Sequence, residues 1–160
     1  MSAFHIRPYA AMDGDWVVAR HGELYARTEG FDDSFGALVR QIIDAFDARP
    51  DPDLSRGWIG WRGAQRQGCV FVVPEAPGTA KLRLFLVEPE SRGTGLAQSL
   101  LDHAIGFARE TGHSRMRLWT HESFAAAGRI YHRNGFRIVK STPSRSFGQD
   151  VVDQIWARDL

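Results

Sequence analysis

The sequence predicts an α/β domain with the element order β-α-α-β-β-β-α-β-α-β-β. Three observations point there. The chain has 160 residues, the size of one domain, so residues 1–160 read as a single unit. Hydrophobic residues make up 43% and charged residues 24%, near the globular average, which excludes a disordered chain, a collagen and a disulfide scaffold. The apolar residues switch repeatedly between strand and helix spacing, with glycine- and proline-rich turns between the segments. A chain of this length buries roughly 70% of the surface it exposes when unfolded, enough for a full core.

Phe4-His5-Ile6-Arg7 alternates and stops at Pro8, as a short first strand does. A helix begins at Asp13 or Asp15. It carries Trp16, Val17, Ala19, Leu24 and Tyr25 on a rough apolar face to about Thr28, and Gly30 breaks it. A second helix starts at the capping cluster Asp32-Asp33-Ser34, carries Phe35, Leu38, Val39, Ile42, Ile43 and Phe46, and ends before Pro50. Trp58 to Trp61, Gly68 to Val73 and Leu82 to Val87 read as three strands of an antiparallel meander, with Pro74 to Gly78 as a turn. The last of them is nearly all apolar, which predicts a central strand buried on both faces.

After Glu88-Pro89-Glu90-Ser91 comes the turn Arg92-Gly93-Thr94-Gly95-Leu96-Ala97. A helix follows with Leu100, Leu101, Ala104, Ile105 and Ala108 on one stripe, closed by Gly112. Met116 to Trp119 is a strand, Phe124 to Arg133 a helix stopped by Asn134-Gly135, and Phe136 to Val139 and Val151 to Ala157 the last two strands. The chain shows no repeat, linker or low-complexity segment.

Charge and cysteine content narrow the function classes. Twenty Lys+Arg against 19 Asp+Glu leave +1, far from the basic balance of a dedicated nucleic-acid binder. Lys81 and Lys140 are the only lysines, so arginine dominates; a GC-rich genome explains most of that bias, and phosphate binding is the functional alternative. Cys69 is the single cysteine, opens an apolar run and reads as a core residue rather than a nucleophile. With no intrachain disulfide, no signal peptide at Met1 to Pro8 and no apolar run near the ~20 residues of a membrane helix, the expected location is cytoplasmic. His21, His103, His113 and His132 lack metal-ligand spacing, so no metal is expected.

The central strand, the double-glycine turn and the helix after it carry the chemistry. Glycines there let backbone N–H groups converge on an anion, the helix N-terminus adds positive partial charge, and Arg92 can add a charge-assisted contact. A plain tight turn with an exposed arginine is the alternative. Gly95 is followed by Leu96-Ala97 rather than Lys-Ser/Thr, so a P-loop does not fit. Gln98 stands where a dinucleotide fingerprint needs its third glycine.

The block Leu86 to Ala97 resembles motif A of the GNAT family of acyl-CoA-dependent N-acetyltransferases, Gln/Arg-x-x-Gly-x-Gly/Ala, with Arg92, Gly95 and Ala97 filling it. A second block, Ala126 to Phe136, resembles the family's motif B, a helix with a tyrosine shortly before Gly-Phe. The separation of the blocks and the element order match too. The segment Lys81 to Ala97, with Leu118-Trp119-Thr120, further resembles the acetyltransferase half of bacterial MarR–GNAT fusion proteins.

The resemblance implies the GNAT fold, a mixed central sheet of about six to seven strands with about four helices, and acetyl-CoA as co-substrate. It implies that backbone N–H groups of Arg92, Gly93, Thr94, Gly95, Leu96 and Ala97 hold the pyrophosphate. It implies that the pantetheine arm pairs like a strand with Leu86 and Val87, where the central strand splays from its neighbour at a bulge, and that a backbone N–H near Val87 polarises the thioester. It makes Tyr131 the general acid that protonates the CoA thiolate; a phenol of pKa ~10 suits a thiol of ~8.5. The acceptor it implies is a small-molecule or peptide amine that attacks directly in a ternary complex, without nucleic acid or membrane. It also leaves room for a homodimer.

The general base stays unassigned. An alkyl ammonium of pKa ~10.4 is neutral about once in 2,500 molecules at pH 7, a handicap of roughly 4.6 kcal/mol. Where some family members place a glutamate on the central strand this chain has Lys81. Glu23, Glu29, Glu88, His121 and a water relay are the alternatives, and each of the four side chains also reads as a solvated surface residue. Trp16, Tyr25, Phe31, Trp58 and Trp61 fall in the segment that lines the acceptor side in this family, with core packing the simpler reading for Trp58 and Trp61. The stretch from about His21 to Phe31 would control acceptor access, and Glu23, Glu29, Asp32 and Asp33 hint at a cationic acceptor. A rival reading is a non-catalytic acyl-CoA sensor of the same fold, supported by Lys81.

Overall fold

The computed structural model describes residues 3–160. Seven strands form one sheet, β1 (His5–Pro8), β2 (Arg56–Arg62), β3 (Gln65–Ala76), β4 (Thr79–Val87), β5 (Arg115–His121), β6 (Arg137–Ser146) and β7 (Gln149–Asp159). Four helices join them, α1 (Gly14–Glu29), α2 (Asp33–Asp47), α3 (Leu96–Glu110) and α4 (Ala125–Arg133). The spatial order is β1-β2-β3-β4-β5-β7-β6, and only β4 and β5 run parallel. Their connection passes through α3, the crossover a parallel pair requires.

The strands alternate between two cores. On one face Val70, Val72, Ala80 and Leu82 meet Leu100, Leu101, Ala104 and Ala108 of α3. On the other, Ile59, Cys69, Phe71 and Leu86 meet Val17 and Leu24 of α1 and Phe35, Val39, Ile43 and Phe46 of α2. The α2 set recurs at helical spacing, and Asp32 caps the helix by accepting from the Ser34 N–H at 3.0 Å. Gly30 ends α1 in the left-handed conformation, φ 72°.

Three expectations need correction. β3 runs on through Pro74 to Ala76, so the turn is only Pro77-Gly78. β6 continues to Ser146 as an exposed, polar arm of a hairpin with β7; Lys140 to Ser146 carry too few apolar residues to read as a strand from sequence, and pairing with β7 holds them. β4 is not buried on both faces: Lys81, Arg83, Leu84 and Phe85 are half-buried, because they wall an opening rather than a core.

Candidate functional site

The opening begins where two strands part. β4 and β5 pair only from Thr79–Arg115 to Leu82–Leu118, although β4 continues to Val87 and β5 to His121. The cause is a bulge in β4. On β3, Cys69 pairs with Leu86 and Phe71 with Arg83, so Leu84 and Phe85 stand opposite the single residue Val70. Leu84 takes φ 55°, a strained value for a branched side chain, and its carbonyl accepts from Cys69 Sγ at 3.1 Å. Beyond the bulge, Leu86 and Val87 have a strand partner on the β3 side only. Their other backbone edge faces the gap and is free to take an extended ligand.

A cavity of about 260 Å³ fills the gap on the α1–α2 side. His21 and Tyr25 of α1, Leu38 and Ile42 of α2, Lys81 to Phe85, Leu118 to His121, and Phe124, Ala127 and Tyr131 wall it. Tyr131 is 4% exposed and packs against Phe85, Phe136 and Trp156. Burial, with Tyr25 nearby, pushes its phenol well above the usual tyrosine range, so it stays protonated. Its hydroxyl bonds no protein group among the described residues.

The second feature lies where β4 hands over to α3. Gly93 and Gly95 sit at φ 73° and 90°, left-handed values that an L side chain rarely adopts. Gly95 is the N-cap and offers no side chain, so nothing local covers the helix end. The first helical bond outside the α3 ladder is Ser99 N–H to the Gly95 carbonyl at 3.0 Å, and no amide from Gly93 to Gln98 has a protein acceptor among the described residues. Six donors therefore cluster at one helix N-terminus, a cradle for a phosphate. Upstream, the turn is braced: Ser91 Oγ donates to Gln67 Oε1 at 2.5 Å, and the Glu88 N–H donates to the Gln67 carbonyl at 2.8 Å.

Glu88 and His121 are not the solvated residues that composition suggests. The Glu88 carboxylate is buried and accepts from Arg20 Nε at 2.6 Å and Nη2 at 2.7 Å, tying α1 to the end of β4. A carboxylate so engaged is a strut, not a free base. His121 is 2% exposed within a ring of Phe31, Trp119, Phe124 and Phe147. Its Nδ1 lies 3.2 Å from Asp153 Oδ1, close enough for charge coupling but misaligned for a hydrogen bond. Desolvation lowers its pKa, and Asp153 opposes that.

His21 is the residue that sequence reasoning missed. It is 3% exposed, and Nδ1 donates to the Val17 carbonyl at 2.7 Å, which leaves the Nε2 lone pair as the free acceptor. Burial lowers its pKa from 6.5 to about 4, so the ring is neutral at pH 7. The signal was present: Val17, His21 and Leu24 share one helical stripe, which places the imidazole on the buried face.

Other expectations fall differently. Tyr25 walls the cavity, Phe31 packs beside His121, and Trp58 lies in the α3 core against Phe107. Trp61 is sandwiched between Arg7 and Arg66, outside the cavity. Glu23, Glu29, Asp32 and Asp33 do not line the cavity, so the hint of a cationic acceptor loses its basis; the charged wall residues are Lys81 and Arg83. Cys69 is fully buried with its thiol pKa pushed up by desolvation, as befits a core residue. Among the described residues no three His, Cys, Asp or Glu side chains cluster as metal ligands, and no helix is long and apolar enough to cross a membrane.

A family model described as the acetyltransferase (GNAT) family matches residues 18–136. A Schizosaccharomyces pombe protein named as an uncharacterized N-acetyltransferase is 37% identical over 74 residues. That match spans 46% of this chain and 45% of the relative, less than half of the relative's length. Among solved structures, a Staphylococcus aureus acetyltransferase of the GNAT family superposes with a TM-score of 0.79 at 20% identity, covering 99% of each chain. A Salmonella typhimurium structure described as an acetyltransferase with its cofactor acetyl-CoA gives a TM-score of 0.81 at 19% identity, covering 99% of this chain and 95% of that one.

Proposed function

Because the chain belongs to the acetyltransferase (GNAT) family, we propose that it moves the acetyl group of acetyl-CoA to a primary amine by direct attack in a ternary complex. One observation carries this reading: the unpaired edge of β4 past the Leu84 bulge leads into the cluster of free amides from Gly93 to Gln98. An extended arm ending in a pyrophosphate fits that path. The amides of Gly93 to Ala97 and the Arg92 guanidinium hold the phosphates, whereas the Arg92 N–H, expected from the sequence to join them, is taken by the Pro89 carbonyl at 3.2 Å; Leu86 and Val87 pair with the pantetheine.

The thioester then lies beside the cavity, away from bulk water. His21 Nε2, neutral and unprotonated, accepts a hydrogen bond from the amine and orients it. With a pKa of about 4 it is a poor sink for the proton itself. His121, which lines the same cavity beside Asp153, is the other imidazole available as the base. The neutral amine attacks the thioester carbon, the nitrogen proton passes to the base, and the C–S bond breaks. Tyr131 gives its phenolic proton toward the departing thiolate and is reprotonated from the base or solvent; the products are the N-acetylated amine and free CoA thiol.

The supporting experiment is amine-dependent release of CoA thiol, comparing the wild-type protein with Tyr131→Phe. Turnover that falls on substitution while acetyl-CoA affinity is kept supports the enzyme. Lys81 in place of a strand carboxylate favours the second reading, an acyl-CoA sensor, which predicts no turnover in either form with any amine.

A further inference from the structure

The cavity walls carry a charge imbalance. Before the bulge, Ala80 and Leu82 of β4 turn into the α3 core, so Lys81 and Arg83 face the α1–α2 side and wall the cavity. Neither makes a salt bridge or a side-chain hydrogen bond among the described residues, and Arg83 Nε is buried without a partner. The acid that bears on both is Glu75, and Arg117 already holds it at 2.6 Å. Arg117 is also the register partner of Lys81 on β5. Three cations thus share one carboxylate on this patch of sheet.

The cavity offers no compensation of its own. Neither Asp nor Glu stands among the residues that line it; apart from Lys81 and Arg83 they are apolar, aromatic, imidazole or hydroxyl groups. Half-buried cations without a counter-charge oppose folding, and desolvation holds both groups below their usual pKa. A cationic acceptor would add a further positive charge to this wall. An anion on the acceptor would complete the missing pairing, and a guanidinium fork suits a carboxylate in particular.

We infer that the amine accepted by this protein carries a carboxylate: Arg83 and Lys81 hold the acid, the apolar wall of Leu38, Ile42 and Tyr25 holds the body, and the amine is left toward the thioester. The acceptor class is therefore a small amino carboxylate with an apolar body. This inference rests on the acetyltransferase reading and adds a specificity device to it. Arg83 and Lys81 select and position the acceptor; they take no part in bond making.

Product analogues test it without requiring turnover. Matched pairs are N-acetylphenylalanine against N-acetyl-2-phenylethylamine, and N-acetylleucine against N-acetyl-3-methylbutylamine. Each is titrated calorimetrically into the protein saturated with CoA. The expected result is a preference of about tenfold or more for the carboxylated member, as a charge-assisted pair supplies. Arg83→Gln abolishes most of the preference, Lys81→Gln part of it, and Arg83→Lys retains part. In turnover with the parent amines, Arg83→Gln raises KM for the amino acid at least tenfold more than KM for its decarboxylated counterpart.

Equal binding within the pairs, tighter binding of the uncharged members, binding of neither, or a preference that survives Arg83→Gln would each overturn the inference. Should Arg83→Gln fail to fold, the wild-type pairs and Arg83→Lys decide it. A separate titration of acetyl-CoA tells whether the underlying reading has failed instead.

Discussion

Along β4, neighbouring residues meet opposite demands on the two faces of the sheet. Ala80 and Leu82 are buried against α3, where Leu100, Leu101, Ala104 and Ala108 are fully enclosed. Lys81 and Arg83, each one residue away, face the α1–α2 side half-buried and, among the described residues, unpaired, in a cavity that also holds His21, Tyr25 and His121. The strand period of two makes this division available. The apolar packing of both cores offsets the cost of keeping a bulge, a left-handed leucine and several ionisable groups out of water on the α1–α2 face. Both faces carry an apolar core, but only the α1–α2 face also opens into the cavity.

Substitutions can break or sharpen that contrast. The largest effect belongs to the packed face: Leu100→Ala, at a fully buried position, is expected to lower unfolding free energy by about 3 kcal/mol, read by denaturant titration. A loss below about 1 kcal/mol would mean that Leu100 is not tightly packed against the sheet.

The next effect is on the cavity side and depends on pH. The folded His21 titrates at about 4 and the unfolded residue at 6.5. Between those values the unfolded chain takes up a proton that the native state refuses. Stability therefore falls as pH drops from 6.5 toward 4 and levels off below, by a total of about 3 kcal/mol for this group. His121, also depressed, acts in the same direction. His21→Gln should flatten most of the slope in thermal melts taken from pH 7 to 4; an unchanged slope would mean that the ring is not held neutral.

Tyr131→Phe removes a hydroxyl that bonds no protein group among the described residues and should leave stability within about 0.5 kcal/mol, while turnover falls about a hundredfold, or ~2.7 kcal/mol in activation free energy. A comparable loss of stability would make Tyr131 a packing residue. The smallest effect is expected at Leu38, half-buried on the cavity wall. Leu38→Ala should cost less than about 1 kcal/mol of stability, because it already borders space, yet raise acceptor KM severalfold.

Much of this was legible in the chain. The element order and the Arg92 to Ala97 turn follow from periodicity and glycine placement, and helix spacing alone put Leu100 and Ala104 in the core. What escaped depends on relations between distant segments. The resemblance implies a bulge in the central strand, but its seat at Leu84 depends on β3 pairing on both sides of Val70, and no local signal marks a left-handed leucine. Glu88 looks like a surface carboxylate until Arg20, 68 positions away, arrives to pair with it. The reach of β6 to Ser146 depends on β7 rather than on its own polar residues. His21 lies on the apolar stripe of Val17 and Leu24, which places its ring on the buried face, but its role depends on the cavity that other elements close over it.

The central claim is that the free amides between Gly93 and Gln98, continuous with the open edge of β4, receive the pyrophosphate and arm of acetyl-CoA. Calorimetric titration with acetyl-CoA tests it most directly, beside Arg92→Ala and an adenosine diphosphate control. The account predicts micromolar binding of acetyl-CoA, weaker binding of the diphosphate, and a loss of about tenfold in Arg92→Ala. No binding of acetyl-CoA, or binding that the diphosphate and the substitution leave untouched, would contradict it.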